Sequence, residues 1–220
     1  MTDERERLRQ LIEQKCLITS QGFTLATGEK SGFYFDCKAI TLEGEGLALI
    51  ASEVLREIEA FPKRPTAIGG MTMGADFISA AVALMAYQRG LSTVHGSIVR
   101  KEPKKHGTMN KIENQLPIGT PIVVVDDVIT SGSSTIKACE EFSAAGYEIV
   151  GIIAIVDREA GGKQRLEQSY GHVRPLFQTS DFPALTQNPG SKGTQPKRTA
   201  ARSSRETGVL LQAVALTLIK

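Results

Sequence analysis

Cysteine is scarce in this chain: three residues among 220, at Cys16, Cys37 and Cys139. An odd number at wide spacing argues against a disulfide framework, and no pair stands at metal-ligand spacing. Three buried, reduced thiols are expected. Long apolar runs are also missing. The longest, Val209–Ile219, carries Gln212, whereas a bilayer span needs about 20 apolar residues. Met1–Gln10 alternates acid and base with no apolar core, so no secretory signal and a cytoplasmic location are expected. Nor is there a large excess of charge: 26 Lys and Arg face 24 Asp and Glu, a net +2. Neither a nucleic acid nor a membrane is expected as a partner on that balance.

What is present is an ordinary globular composition, 41% hydrophobic with 21 glycines, enough for one full domain and a modest extension. The charge is unevenly placed. Residues 187–220 hold Lys192, Lys197, Arg198, Arg202, Arg205 and Lys220 against Glu206 alone, a net +5, which leaves residues 1–186 at −3. The tail is rich in Pro, Gly, Ser and Thr without periodicity, so disorder is expected there, with one possible short helix over 209–219. The expected division is a folded domain over 1–186 and a basic tail over 187–220.

Periodicity organises the rest. Arg5–Cys16 predicts an amphipathic helix with Leu8, Leu11 and Ile12 on one face. Gly22–Asp36 interleaves Phe23, Leu25, Phe33 and Phe35 with small and polar residues, as short strands about a turn do. Glu45–Ile58 is helical by period. Ala67–Gly70 reads as the end of a strand followed by a helix through Met85, and Ser97–Val99 as a further strand. Arg100–Glu113 is polar and reads as an unusually long loop. Pro121–Val125 is β-branched and apolar throughout, as in a strand buried on both faces. Ser133–Ala145 follows as a helix and Ile149–Val156 as another buried strand. Strands alternating with helices predict an α/β fold with a parallel central sheet flanked by helices.

The chemistry concentrates in Ile122–Ser134. A buried strand ends in Asp126 and Asp127, then Val128, Ile129, Thr130, Ser131, Gly132, Ser133 and Ser134 lead into a helix. Ligands of open α/β sheets sit beyond the carboxyl ends of the strands. A helix N-terminus offers free N–H groups to a phosphate, the hydroxyls add donors, and Gly132 allows close approach. Two adjacent acids suit a polyhydroxyl group or hydrated Mg²⁺. Capping alone explains the hydroxyls but not the acids.

This stretch resembles the phosphoribosyl pyrophosphate (PRPP) motif of the type I phosphoribosyltransferases. Val99–Gly107 is similar to the R-K-x-x-K-x-H-G catalytic loop of the orotate phosphoribosyltransferases, with Arg100, Lys101, Lys104, His106 and Gly107 in place. Phe23–Asp36 resembles the F-T-L-x-S-G-x-x-S-x-Y pattern of the same family, Gly69–Asp76 its pyrophosphate-side loop, and Asp157-Arg158 its D-R pair. The likeness spans about residues 5–183. Two positions depart from it: Ala26 and Met73 stand where many members carry lysine.

The resemblance implies the type I phosphoribosyltransferase fold, with a small N-terminal hood over about residues 1–40. It implies transfer of the ribosyl group of PRPP to orotate in pyrimidine synthesis, with Mg²⁺ carried by PRPP rather than by protein ligands. Lys104, His106, Asp126 and Asp127 are then catalytic. PRPP meets Arg100, Lys101, Lys104, His106 and Asp126 through Ser134. Orotate meets Tyr34, Phe35, Thr130 and Arg158, the two aromatics through their backbone. The 100–110 loop is shared across a homodimer. Two alternatives are a phosphoribosyltransferase for another base and a non-catalytic PRPP-sensing regulator. The Arg100–Gly107 run argues against both, and Arg158 argues against another base.

Overall fold

The computed structural model describes residues 3–24, 30–91, 94–102 and 110–186, with the backbone alone for 20–24 and 30–31. Six strands form the central sheet in the order β5-β4-β3-β6-β7-β8. They are β3 (Ala67–Met71), β4 (His95–Val99), β5 (Ile112–Glu113), β6 (Pro121–Ile129), β7 (Glu148–Asp157) and β8 (Val173–Gln178). All neighbouring pairs are parallel except β4 with β5. The expected parallel α/β sheet is therefore present. The polar loop after β4 leaves from Val99 and comes back as β5, where Ile98 pairs with Glu113 and Val99 with Ile112.

Two apolar layers sandwich the sheet. Side chains alternate across a strand, and β6 divides accordingly. Val123 and Val125 join one core with α3 (Gly44–Glu59) and α4 (Asp76–Gln88). Ile122 and Val124 join the other with Ala138, Cys139 and Phe142 of α5 (Ser133–Ala144) and Leu166 of α6 (Gly162–Tyr170). Phe142 stacks on Tyr147 at 5.5 Å.

The N-terminal segment caps the first layer. α1 (Asp3–Leu11) runs into a π-helical turn, Ile12–Cys16, so the expected single helix changes its winding at Ile12. The apolar face is as expected: Leu8, Leu11 and Ile12 are all buried. β1 (Leu17–Thr24) and β2 (Lys30–Phe35) pair antiparallel, and a short helix α2 (Lys38–Thr41) follows. Arg5 binds this cap to the core. Its guanidinium is 3.0 Å from buried Glu53 and lies 5.0 Å from the centre of the Phe177 ring.

The sequence reading named neither the closing turns of the chain nor α2, β5, α6 and β8. The last two have weak patterns because α6 buries only Gly162 and Leu166, and β8 contains Pro175. β8 is an edge strand, where proline is tolerated. The chain closes with a 3₁₀ turn (Thr179–Asp181) and α7 (Pro183–Thr186). The expected basic tail, 187–220, lies outside the described residues. No helix among the described residues is long and apolar enough to cross a membrane.

Candidate active site

The site gathers at the carboxyl ends of β3, β6 and β7. The expected strand ends at Asp126 and Asp127, but β6 runs on past them to Ile129. β7 continues to Asp157, and the ladder carries β6 on to Ile129 through Asp126–Ala154, Val128–Val156 and Ile129–Asp157 pairs. The acids therefore sit on a hydrogen-bonded strand rather than on its trailing loop, which fixes their backbone.

Their partners differ. Asp126 meets α5: its Oδ2 accepts hydrogen bonds from Ser134 Oγ at 2.7 Å and Thr135 Oγ1 at 2.8 Å, and its Oδ1 accepts from the Asp127 N–H at 3.0 Å. Asp127 Oδ1 accepts from the Val128 N–H at 2.8 Å. Burial, then the neighbouring Asp127 carboxylate, push Asp126 up to about 6, against the pull of its two hydroxyl donors.

The candidate phosphate cradle, from Thr130 into the next helix, turns at Gly132, whose φ of +75° is a left-handed conformation that glycine adopts without strain. Gly132 precedes α5, and no side chain caps that helix. The first N–H groups of α5 are left for a ligand. Ser131 and Ser133 hydroxyls bond to one another at 2.9 Å beside them. Ser134 stands in the expected segment, but its hydroxyl is turned onto Asp126. Val128 and Ile129 direct their side chains to the two cores, and the Ile129 carbonyl accepts the Arg158 N–H at 2.9 Å. Their contribution to a ligand is confined to the backbone.

The loop after β3 faces the acids. A Cβ on Gly74 would stand 2.7 Å from Asp126 Oδ1 and 3.0 Å from Asp127 Oδ1. A side chain there would crowd both carboxylates, so this glycine permits the approach. Thr72 Oγ1 donates to Asp76 Oδ2 at 2.7 Å, bracing the turn. A cavity of about 500 Å³ opens beside it, lined by Thr72, Asp76, Ile98, Arg100, Lys101 and Glu113 among others. Arg100 is tied down at its edge. Its N–H donates to the Lys111 carbonyl at 2.7 Å and its guanidinium pairs with Glu113. Lys101 is exposed, and Met73, where many relatives of the motif carry lysine, is 55% exposed. Lys104 and His106 lie outside the described residues, as does Ala26.

On the other side of Asp127, Arg158 meets the hood. Its guanidinium lies 4.5 Å from the centre of the Phe33 ring and donates to the Phe33 carbonyl at 3.2 Å. Burial lowers its pKa from the ordinary arginine value, with the Tyr34 charge opposing. An arginine remains a cation all the same. Tyr34 is half-exposed, whereas Phe35 points the opposite way along β2, its ring 5.2 Å from Phe182 in the core. Phe35 can therefore reach a ligand through its backbone alone. Thr130 sits between the Ile129–Arg158 link and the cradle.

Sequence reasoning assigned no individual role to four residues here, although Phe33 and Gly74 lie in segments it singled out. Phe33 faces Arg158, Thr135 holds Asp126, Gly74 passes the acids, and Gly162 buttresses the cradle. A Cβ on Gly162 would stand 2.3 Å from the Thr130 carbonyl oxygen and 2.8 Å from the Gly132 nitrogen. The Gly161-Gly162 pair after Asp157-Arg158 was the available signal for that buttress. Nothing in the order of residues announced Thr135.

Paired acids and an uncapped helix N-terminus at the carboxyl ends of parallel strands, with a hairpin hood beside them, are the layout of the type I phosphoribosyltransferase class. The phosphoribosyl transferase domain model matches residues 42–180. An orotate phosphoribosyltransferase of Aquifex aeolicus is 37% identical over 181 residues, 81% of this chain and 97% of that protein. One of Rhodopirellula baltica is 40% identical over 176 residues, 78% and 90% of the two chains. The crystal structure of Mycobacterium tuberculosis orotate phosphoribosyltransferase with Fe(III) dicitrate superposes with a TM-score of 0.68 at 28% identity. It covers 81% of this chain and 98% of the other. The chain belongs to the orotate phosphoribosyltransferase family.

Proposed function

We propose that the protein converts orotate and PRPP to orotidine 5′-monophosphate and pyrophosphate, a step of pyrimidine synthesis in the cytoplasm. The observation that carries this reading is the location of Arg158. Its backbone is bonded to the end of β6, one residue from the cradle, while its guanidinium lies against the hood. A cation fixed there suits the carboxylate of a flat anionic base held between hood and core. Neutral purines or uracil offer it nothing to pair with.

The chemistry needs no covalent nucleophile. The C1′–oxygen bond of PRPP breaks toward an oxocarbenium-like centre as the orotate nitrogen approaches, so positioning and electrostatics do the catalysis. The cradle from Thr130 to Ser133 and the first turn of α5 hold the 5′-phosphate. Asp126 and Asp127 accept the ribose hydroxyls. Arg100 and Lys101 border the cavity next to the Thr72–Asp76 turn, a fit for departing pyrophosphate. Lys104 and His106 complete that charge when the 100–110 loop closes, and closure keeps water from the reacting centre.

Mg²⁺ fits as cargo of PRPP rather than as a resident ion. Among the described residues no cluster of three His, Cys, Asp or Glu side chains could hold a metal, and Asp126 Oδ2 already accepts two hydroxyls. Bound to PRPP, the ion would neutralise the pyrophosphate.

The catalytic unit is residues 1–186, and the tail is dispensable for turnover. In support, 181 residues of this chain already cover 97% of the Aquifex relative. We propose a homodimer in which each 100–110 loop serves the partner's site. An exposed apolar strip on α4, with Leu84 58% and Tyr87 79% exposed, gives such a dimer a surface to bury.

The test is an assay with PRPP and Mg²⁺, offering orotate, uracil, hypoxanthine and adenine in turn. Turnover with orotate alone is expected. Turnover with another base overturns the assignment of Arg158. PRPP binding by calorimetry without turnover on any base favours a regulator.

A further inference from the structure

We propose that Thr135, assisted by Ser134, is a positioning residue for ribosyl transfer, anchoring one oxygen of Asp126 so that the other is presented to a ribose hydroxyl of PRPP. The proposal rests on the reaction assigned above and adds a residue to it.

The argument starts from a carboxylate's capacity. Its two oxygens offer about four acceptor positions. On Asp126, Oδ2 receives both hydroxyls, Ser134 at 2.7 Å and Thr135 at 2.8 Å, while Oδ1 receives only the Asp127 N–H. The anchored oxygen points at α5. The other borders the Gly74 turn, where a Cβ would stand only 2.7 Å away. A carboxylate free to rotate would present either oxygen. Two donors on one of them leave one orientation, and Oδ1 keeps an acceptor position for a substrate hydroxyl.

Among the described residues these hydroxyls make no other hydrogen bond. Ser134 and Thr135 are the second and third residues of α5, where side chains commonly turn back to cap the helix. Here no side chain caps it. Thr135 is 1% exposed, within a layer otherwise built from Ile122, Val124, Ala138, Cys139 and Phe142. Packing alone would be served by valine. The hydroxyl is explained by the acid it meets. Because the same turn of α5 opens the phosphate cradle, this contact also ties the cradle to the ribose acid.

The test is kinetic. Thr135→Val keeps the shape and deletes the donor. One hydrogen bond to a charged group corresponds to roughly a tenfold loss. We expect kcat/KM for PRPP to fall about that much, with KM for orotate held within about twofold. Thr135→Ser should restore most of the loss. In an Asp126→Asn background, Thr135→Val should cost nothing further, since the two act as one unit. Ser134→Ala, at an exposed position, provides the same cycle should the valine variant fail to fold. An equal loss in both backgrounds overturns the proposal, because the hydroxyl then acts on the helix rather than through Asp126. An active wild-type enzyme unaffected by either substitution overturns it too, and leaves the assigned reaction standing. A wild-type protein inactive with orotate and PRPP overturns both.

Discussion

Asp126 illustrates how one residue's environment sets its chemistry. It is 6% exposed with a second acid adjacent, and both effects disfavour the anion. Because the folded carboxylate is pushed up to about 6 from an ordinary 3.8, ionising it costs stability above about pH 6. That cost fades as pH falls between the two values. Function runs the other way, since only the anion accepts a ribose hydroxyl at full strength. We expect kcat/KM for PRPP to decline below about pH 6 in a pH–rate profile. Asp126→Asn should lower the plateau at least about tenfold and abolish this acidic limb. A limb that survives the substitution assigns it to another group. The cysteines follow the same logic: contact with Cys16, then burial, raises Cys37 well above its ordinary value, and burial pushes Cys139 up to about 12. All three thiols are free and buried, and the two raised ones, Cys37 and Cys139, hold little reactive thiolate.

Among the elements, β6 and α5 are the pair that the reaction depends on, and α6 holds them from behind. The first residue of α6 stands against the cradle, so the close approach of Gly162 to Thr130 and Gly132 has a consequence. Gly162→Ala must move either the cradle or α6, because the atoms it meets at 2.3 and 2.8 Å are backbone. Overpacking of this kind costs about 1–3 kcal/mol, and here part of it falls on the phosphate site. KM for PRPP should rise several-fold while KM for orotate stays near the wild-type value. An unchanged PRPP KM with a lowered melting temperature would mean that α6 yields instead. The same scale shows why some elements were legible and others were not. β6 has five apolar or β-branched residues in succession before its acids, an unambiguous pattern. α6 has one buried leucine and β8 a proline, so neither signals itself by period. The acids were found, but their position inside β6 was not. Strand length there is decided by how far β7 extends beside it.

At the level of the whole molecule, the proposed sharing of the 100–110 loop makes a direct prediction. Subunits carrying Lys104→Ala and subunits carrying Asp126→Asn are each expected to be nearly inactive. A dimer of one of each contains one site with both residues intact, because the loop comes from the opposite chain. Mixing the two by co-expression or denaturation and refolding should restore a substantial fraction of wild-type turnover. A mixture as inactive as its parents places loop and acids in the same subunit's site.

The sequence by itself determined the class of fold, the family and most of the residues proposed to meet substrate. Those depend on local order: an apolar β-branched run, adjacent acids, a glycine and hydroxyls before a helix, and cations grouped in a loop. Only the tertiary structure decided how the side chains are divided. It turned Asp126 onto α5, turned the Ser134 hydroxyl away from the cradle, and buried Phe35 while leaving Phe33 against Arg158. Those outcomes depend on which elements pack on each face of the sheet. A hydrogen bond such as Thr135 to Asp126 exists only once a strand and the helix behind it are brought within 3 Å. Neither residue type nor spacing along the chain encodes that distance.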